Sequence, residues 1–142
     1  MISVDGLAAA YRVGLLADGT LAGYLPGGIA YERQREGASS TGYAVLKVSK
    51  VAERPSSGFI YRTFQLTVSM YLPSDGANQS VAETRLRTLV DYQRTFVSPS
   101  GGAINMVTPT TADMSVAEEM RRGADVAPVI CSWMIHTVEA RT

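Results

Sequence analysis

The stretch from Phe59 to Leu72 constrains this chain more than any other. Ile60, Phe64, Leu66, Val68, Met70 and Leu72 alternate with Tyr61, Thr63, Gln65, Thr67, Ser69 and Tyr71. Strict alternation over this length predicts a long strand with one buried face, and Thr, Val, Phe and Tyr suit a pleated surface. Arg62 is the one charge on the apolar side, near the strand's start. Pro73-Ser74-Asp75-Gly76 stops the strand, because proline lacks a ladder donor and Asp-Gly favours a turn. Ser80-Val81-Ala82-Glu83 reads as a capping box that opens a helix. Ala82, Leu86, Leu89, Val90, Gln93 and Phe96 recur at helical spacing, so this helix can lie on the strand's apolar side.

The remaining elements follow in chain order. Ser3 to Ala17 is predicted as a helix capped by Ser3, with Leu7, Ala10, Tyr11, Gly14 and Leu15 on one face. Asp18-Gly19 ends it, and Thr20 is expected to cap one further turn through Leu25, closed by Pro26-Gly27-Gly28. Ile29 to Gln34 reads as a short strand. Arg35 to Gly42 lacks periodicity and reads as a mobile loop. Tyr43 to Glu53 alternates again, with Ala44, Leu46, Val48 and Lys50 opposite Tyr43, Val45, Lys47, Ser49 and Val51. The short turn Pro55-Ser56-Ser57-Gly58 makes it an antiparallel partner of the central strand. After the loop Ser98 to Gly102, Ala103 to Thr108 reads as a strand. Asp113 to Gly123 fits either a helix opened by Ser115 and Glu118 or a polar loop. Val126 to Glu139 reads as a strand covered on both sides, with Pro128 marking an edge or a bulge at its start. Hairpin-linked strands with segregated helices give an α+β fold, a mainly antiparallel sheet with two principal helices on one face.

A length of 142 residues suits a single domain, which can bury roughly 70% of its unfolded surface without staples. The 46% hydrophobic and 18% charged composition is that of a globular chain. Thirteen basic residues balance thirteen acidic ones. That balance argues against reliance on nucleic-acid phosphates and removes long-range repulsion between copies. Cys131 is the only cysteine, so no intrachain disulfide forms and a reducing compartment is the simplest setting. The N-terminus lacks a basic start before its apolar run, which Arg12 interrupts, so no signal peptide is expected. Val126 to Ile135 is too short for a bilayer span of ~20 residues. The expectation is a soluble, cytoplasmic protein.

Catalytic chemistry is hard to find. His136 is the only histidine, and a hydrolytic site needs a base held beside a nucleophile by a third group. Cys131 and His136 are an odd number of residues apart, so on one strand they face opposite sides. Zinc sites want several Cys or His ligands. Glu118 and Glu119 diverge by about 100° on a helix, and the Gly27-Gly28 and Gly101-Gly102 pairs match no phosphate-cradling pattern. No enzyme activity, metal or cofactor is expected. The candidate interaction residues are Arg85, Arg87 and Arg94, which stripe the second helix, and Tyr43, Tyr61 and Tyr71 on the sheet's less apolar face, with Tyr31 a further candidate there. Arg and Tyr are enriched at subunit interfaces. The competing readings are a solvated helix face for the arginines and a half-exposed cross-strand ladder for the tyrosines.

In element order, the chain resembles the tail terminator and related neck proteins of long-tailed bacteriophages. The matching pieces are the helix Leu7–Leu16, the strand Ile29–Gln34, the hairpin Tyr43–Glu53 with Phe59–Leu72, the helix Ala82–Phe96, and the strands Ala103–Thr108 and Val126–Glu139. The segment Thr110–Gly123 is longer than the pattern calls for. The resemblance covers nearly the whole chain and rests on no residue motif, so it transfers no site residue. It implies a structural virion protein, first in the host cytoplasm and then in the tail or neck. Six copies would form a ring on the tail tube protein, stop its growth and meet a head-side connector or stopper, with DNA passing through the ring but not specifically bound. The loops Arg35–Gly42, Glu53–Gly58 and Ser98–Gly102 are the expected contacts with neighbouring proteins. Two other readings stay open. One is a small-ligand-binding domain with a pocket lined by Phe64, Met70, Trp133 and Met134. The other is an enzyme that uses His136.

Overall fold

The computed structural model describes residues 1–31, 42–73, 76–92, 101–110 and 126–141. The elements run α1 (Val4–Leu16), α2 (Gly19–Tyr24), β1 (Ile29–Tyr31), β2 (Tyr43–Pro55), β3 (Phe59–Pro73), α3 (Gly76–Tyr92), β4 (Ala103–Thr110) and β5 (Val126–Ala140). The five strands form one sheet in the order β1-β2-β3-β5-β4. Among the described residues only β1 pairs in parallel, with β2; the other pairs are antiparallel. The architecture is the expected α+β fold, and the helices sit on one face of the sheet.

Local chemistry sets the helix ends. Ser3 caps α1 by accepting the Gly6 N–H at 3.0 Å, as its position before the apolar run predicts. Asp18 caps α2 by accepting the Leu21 N–H at 2.9 Å. The cap is therefore Asp18 rather than Thr20, and the residue that reads as a helix stop is the start of the next helix. Helix α3 begins at Gly76, so Ser80 lies inside it and its carbonyl accepts the Thr84 hydroxyl at 2.9 Å. The Ser80–Glu83 pattern is one turn of an ordinary helix face and not a capping box, because residues three apart are neighbours anywhere along a helix. Gln93, Phe96, Arg94, the loop 32–41 and the segment 113–123 lie outside the described residues.

The inward positions of β3 from Phe64 to Leu72 and of β5 from Cys131 to Ile135 are committed to one core. Phe64, Leu66, Val68, Met70 and Leu72 of β3 and Cys131, Trp133 and Ile135 of β5 are buried against Leu7, Tyr11 and Leu15 of α1, Leu21 of α2, and Ala82, Leu86, Leu89 and Val90 of α3. Burying each large apolar side chain contributes about 1.5–3 kcal/mol, so α3 is held mainly by its Leu86–Leu89–Val90 stripe. Trp133 Nε1 donates to the Asp91 carboxylate, which satisfies the one polar atom of the largest core side chain. Pro128 pairs with Tyr71 beyond the last β4–β5 pair, Thr110–Ser132.

Two glycines are fixed by geometry. Gly28 adopts φ +81°, a left-handed conformation. A Cβ on Gly42 would lie 2.3 Å from the Tyr24 carbonyl oxygen, because the Gly42 carbonyl accepts the Gly27 N–H at 2.7 Å and locks the start of β2 to the turn after α2. The β2–β3 hairpin closes with Ser56 N–H to Phe59 O at 2.8 Å and is tied to the end of β5 through Arg141, whose N–H reaches Gly58 O at 3.0 Å.

Candidate functional site

The face of the sheet opposite the helices carries the side chains that the helix-side core does not take up. Strand register sorts them into transverse rows. Ala52, Thr63, His136 and Met106 form one row across β2, β3, β5 and β4. Arg54, Tyr61, Val138 and Ala103 form the next. Both register breaks of the sheet, between Lys50 and Ala52 in β2 and between Ile104 and Met106 in β4, fall beside the first row. Bulges bend and overtwist the strands that carry them, so two on one row crease the sheet along a single line. The crease forms a groove of about 380 Å³ whose lining includes Arg54, Tyr61, Thr63, Asn105, Met106 and His136.

The groove is both aromatic and basic. The Arg54 guanidinium stacks 5.0 Å above the Tyr61 ring, and Phe59 lies 6.5 Å from Tyr61. Phe59, Met106 and the bulge residue Val51 are 49%, 47% and 52% exposed, a high value for large apolar side chains. Thr63 Oγ1 and His136 Nδ1 share a hydrogen bond of 3.3 Å. Lys47 projects from the same face two rows away, by its pairing with Thr67. Glu53 reaches the groove wall, but its carboxylate is claimed by Arg62 Nε at 2.5 Å and by Lys50 at 3.7 Å. The hydrogen bond from Arg62 holds that carboxyl below its usual value.

At the helix side of the same end, Arg62 bridges Glu53 and Glu139. Arg62 and Glu139 are each only 7% exposed. Glu139 also accepts the Ile2 N–H at 3.3 Å and faces the Met1 ammonium at 3.8 Å. The charge that breaks the alternation of β3 is thus buried in a network whose second carboxylate comes from the far end of the chain.

Residues singled out by sequence scatter. Tyr43 and Tyr71 stack with ring centres 5.0 Å apart on the second face. They are only 4% and 3% exposed, so neither presents free surface in this chain. Tyr61 is half-buried under Arg54 in the groove. Tyr31 pairs with Leu46 and so lies on the helix side, with the Arg12 guanidinium 5.8 Å above its ring. Arg85 is committed to Asp18 through bonds of 3.0 and 2.5 Å, which lower the Asp18 carboxyl and raise the guanidinium. Arg85 also borders a shallow depression between α2 and α3 together with Thr20, Val81 and Thr84. Arg87 meets Glu83 at 4.0 Å, and Arg94 lies outside the described residues. Of the cluster that does converge, Arg54, Phe59, Met106 and His136 around Tyr61, the sequence points to Tyr61 and His136 and gives no signal for the other three. Its members come from four strands, and only register and the two bulges bring them together.

Cys131 faces the helices and His136 the groove, as their odd spacing requires. Burial pushes the Cys131 thiol up to about 11. Ser132, on the groove side, is ~13 Å along the strand from His136 and is bonded to Gln65 and Thr67. Among the described residues no carboxylate is bonded to His136, and no group of His, Cys, Asp and Glu is arranged to hold a metal. Phe64, Met70 and Trp133 are packed core side chains, and Met134 lies on the opposite face. No protein-family model matches the chain, and no match is found among curated proteins.

Proposed function

We propose that this chain is a self-associating structural protein, a ring-forming tail terminator that caps the tail tube of a long-tailed phage and joins it to the head-side connector. The observation that carries the self-associating part is the creased end of the second face, where Val51, Phe59 and Met106 are about half exposed around a concave row. Large apolar side chains left this exposed beside a polar-walled groove are what an interaction site would use. The balanced charge leaves copies free to approach one another. The phage role rests on the element order described above.

The test is native mass spectrometry of the purified protein together with negative-stain imaging of mixtures with tail tubes. The expected result is a closed ring of identical copies, hexameric by the resemblance, bound at one end of each tube. A monomer that leaves tubes uncapped and growing overturns the reading. A second reading, small-ligand binding, finds its observation in the same groove, whose volume falls within the range of ligand sites. A monomer that gains thermal stability from a small-molecule library, and loses the gain on Tyr61→Ala, would favour that reading instead.

A further inference from the structure

We infer that copies join edge to edge, the outer side of β4 in one copy pairing antiparallel with the outer half of β2 in the next, so that one sheet runs on through the assembly. This deepens the self-association proposed above and rests on it.

Register puts the two edges at the same height. Followed across β3 and β5, Lys50 to Arg54 of β2 stands level with Val107 to Ala103 of β4, and Ala52 stands level with Met106. Among the described residues no strand pairs with the outer side of either stretch. β1 meets β2 only from Ala44 to Leu46, at the other end, and β4 is the last strand of the sheet. Lys50 to Pro55 are exposed throughout. Each stretch holds one bulge beside the same row, so the two edges bend at the same level. Pro55 and Pro109, which cannot donate to a ladder, both fall outside the matched levels.

Direction agrees with level. β2 and β5 run one way, β3 and β4 the other. A copy set beside another in the plane of the sheet therefore brings an antiparallel β2 to β4 and keeps the helices of both on one face.

Composition selects the partner. An edge strand is normally guarded by charges, yet β4 carries none from Ala103 to Thr110. The β2 edge is charged, but Glu53 is held by Lys50 and Arg62, and Arg54 lies on the Tyr61 ring. Two β2 edges paired about Ala52 would set Lys50 against Arg54. Two β4 edges would stop at a dimer, whereas β4 on β2 repeats from copy to copy and closes into a ring when its rotation allows. The same seam lays Met106 beside Ala52 and Val51. It thus brings together the half-exposed Met106 and Val51, which one copy holds at opposite edges of its sheet.

The experiment uses Met106→Cys and Ala52→Cys, both exposed positions, singly and together in the full chain. The native Cys131 is buried. A short bismaleimide crosslinker is added, denaturing gels read the covalent products, native mass spectrometry reads the assembly, and melting curves check folding. The double variant should give a ladder of dimers, trimers and larger products. Each single variant should stay monomeric on the gel, and a one-to-one mixture of the two should give dimers and nothing larger, because only unlike positions meet. Met106→Asp should weaken assembly roughly tenfold or more. The inference is overturned if Met106→Cys alone crosslinks to itself, if an assembled double variant gives no ladder, or if Met106→Asp assembles as wild type. In each of these cases a wild-type ring leaves the ring reading standing, whereas a monomeric wild type removes both.

Discussion

Replacing Arg62 with alanine tests the buried charge network directly. Arg62 lies on the apolar side of β3, and it and Glu139 are each 7% exposed. Removing the guanidinium leaves the Glu139 carboxylate buried with the Ile2 N–H and the terminal ammonium as its remaining partners. Breaking a buried pair from one side costs about 3–5 kcal/mol. The surviving donors put Arg62→Ala at the lower end, about 3 kcal/mol. In a domain of this size that corresponds to a fall of roughly 6–12 °C in Tm. The same physics predicts that Arg62→Met combined with Glu139→Leu recovers most of the loss, since an apolar pair of similar volume needs no compensating charge. Urea denaturation of Arg62→Ala measures the loss, and the cycle of wild type, Arg62→Met, Glu139→Leu and the double variant gives the coupling. An Arg62→Ala variant within about 0.5 kcal/mol of wild type, or a double variant as damaged as the single, refutes this account of the network.

Three other outcomes follow from the geometry. Asp91→Ala strands the Trp133 indole N–H in the core and should cost about 1–3 kcal/mol; Asp91→Asn keeps an acceptor and should cost less, both read by fluorescence of the sole tryptophan. The bond from Arg85 lowers the Asp18 carboxyl. Its stabilising effect is therefore present above the ordinary carboxylate value of ~4 and is lost as the pH falls through the depressed value. Asp18→Asn should flatten the acid limb of a Tm–pH profile, the part below the ordinary carboxylate value, and Asp18→Ala should lose about 1 kcal/mol of helix cap as well. The Cys131 thiol, buried and held up to about 11, should react with a thiol reagent at neutral pH only as fast as the chain unfolds, and at once in denaturant; rapid labelling of the native protein would contradict its placement.

What the sequence could express locally was legible. The Ser3 cap needs only four residues, and the alternation of β3 and β5 separates Cys131 from His136 without any knowledge of their neighbours. Leu86, Leu89 and Val90 announce the buried face of α3 by spacing alone. Ends were harder, because Asp18 and the Ser80–Glu83 pattern fit more than one position in a helix. Non-local features could not be read. Nothing near Ile29 says that β1 pairs in parallel, nothing near Val126 says that β5 inserts between β3 and β4, and the partner of Arg62 is 77 residues away at Glu139. The second face was recognised from Tyr43, Tyr61 and Tyr71, but their exposure depends on what covers each row. The candidate site itself depends on two bulges sharing a row, which register alone reveals.

The mass of the wild-type assembly in solution tests the central claim most directly. Sedimentation or native mass spectrometry should return one closed multiple of the chain that survives dilution and is lost when the apolar end of the second face is charged. A chain that sediments as a monomer at every accessible concentration, with Phe59 and Met106 left in water, would contradict it.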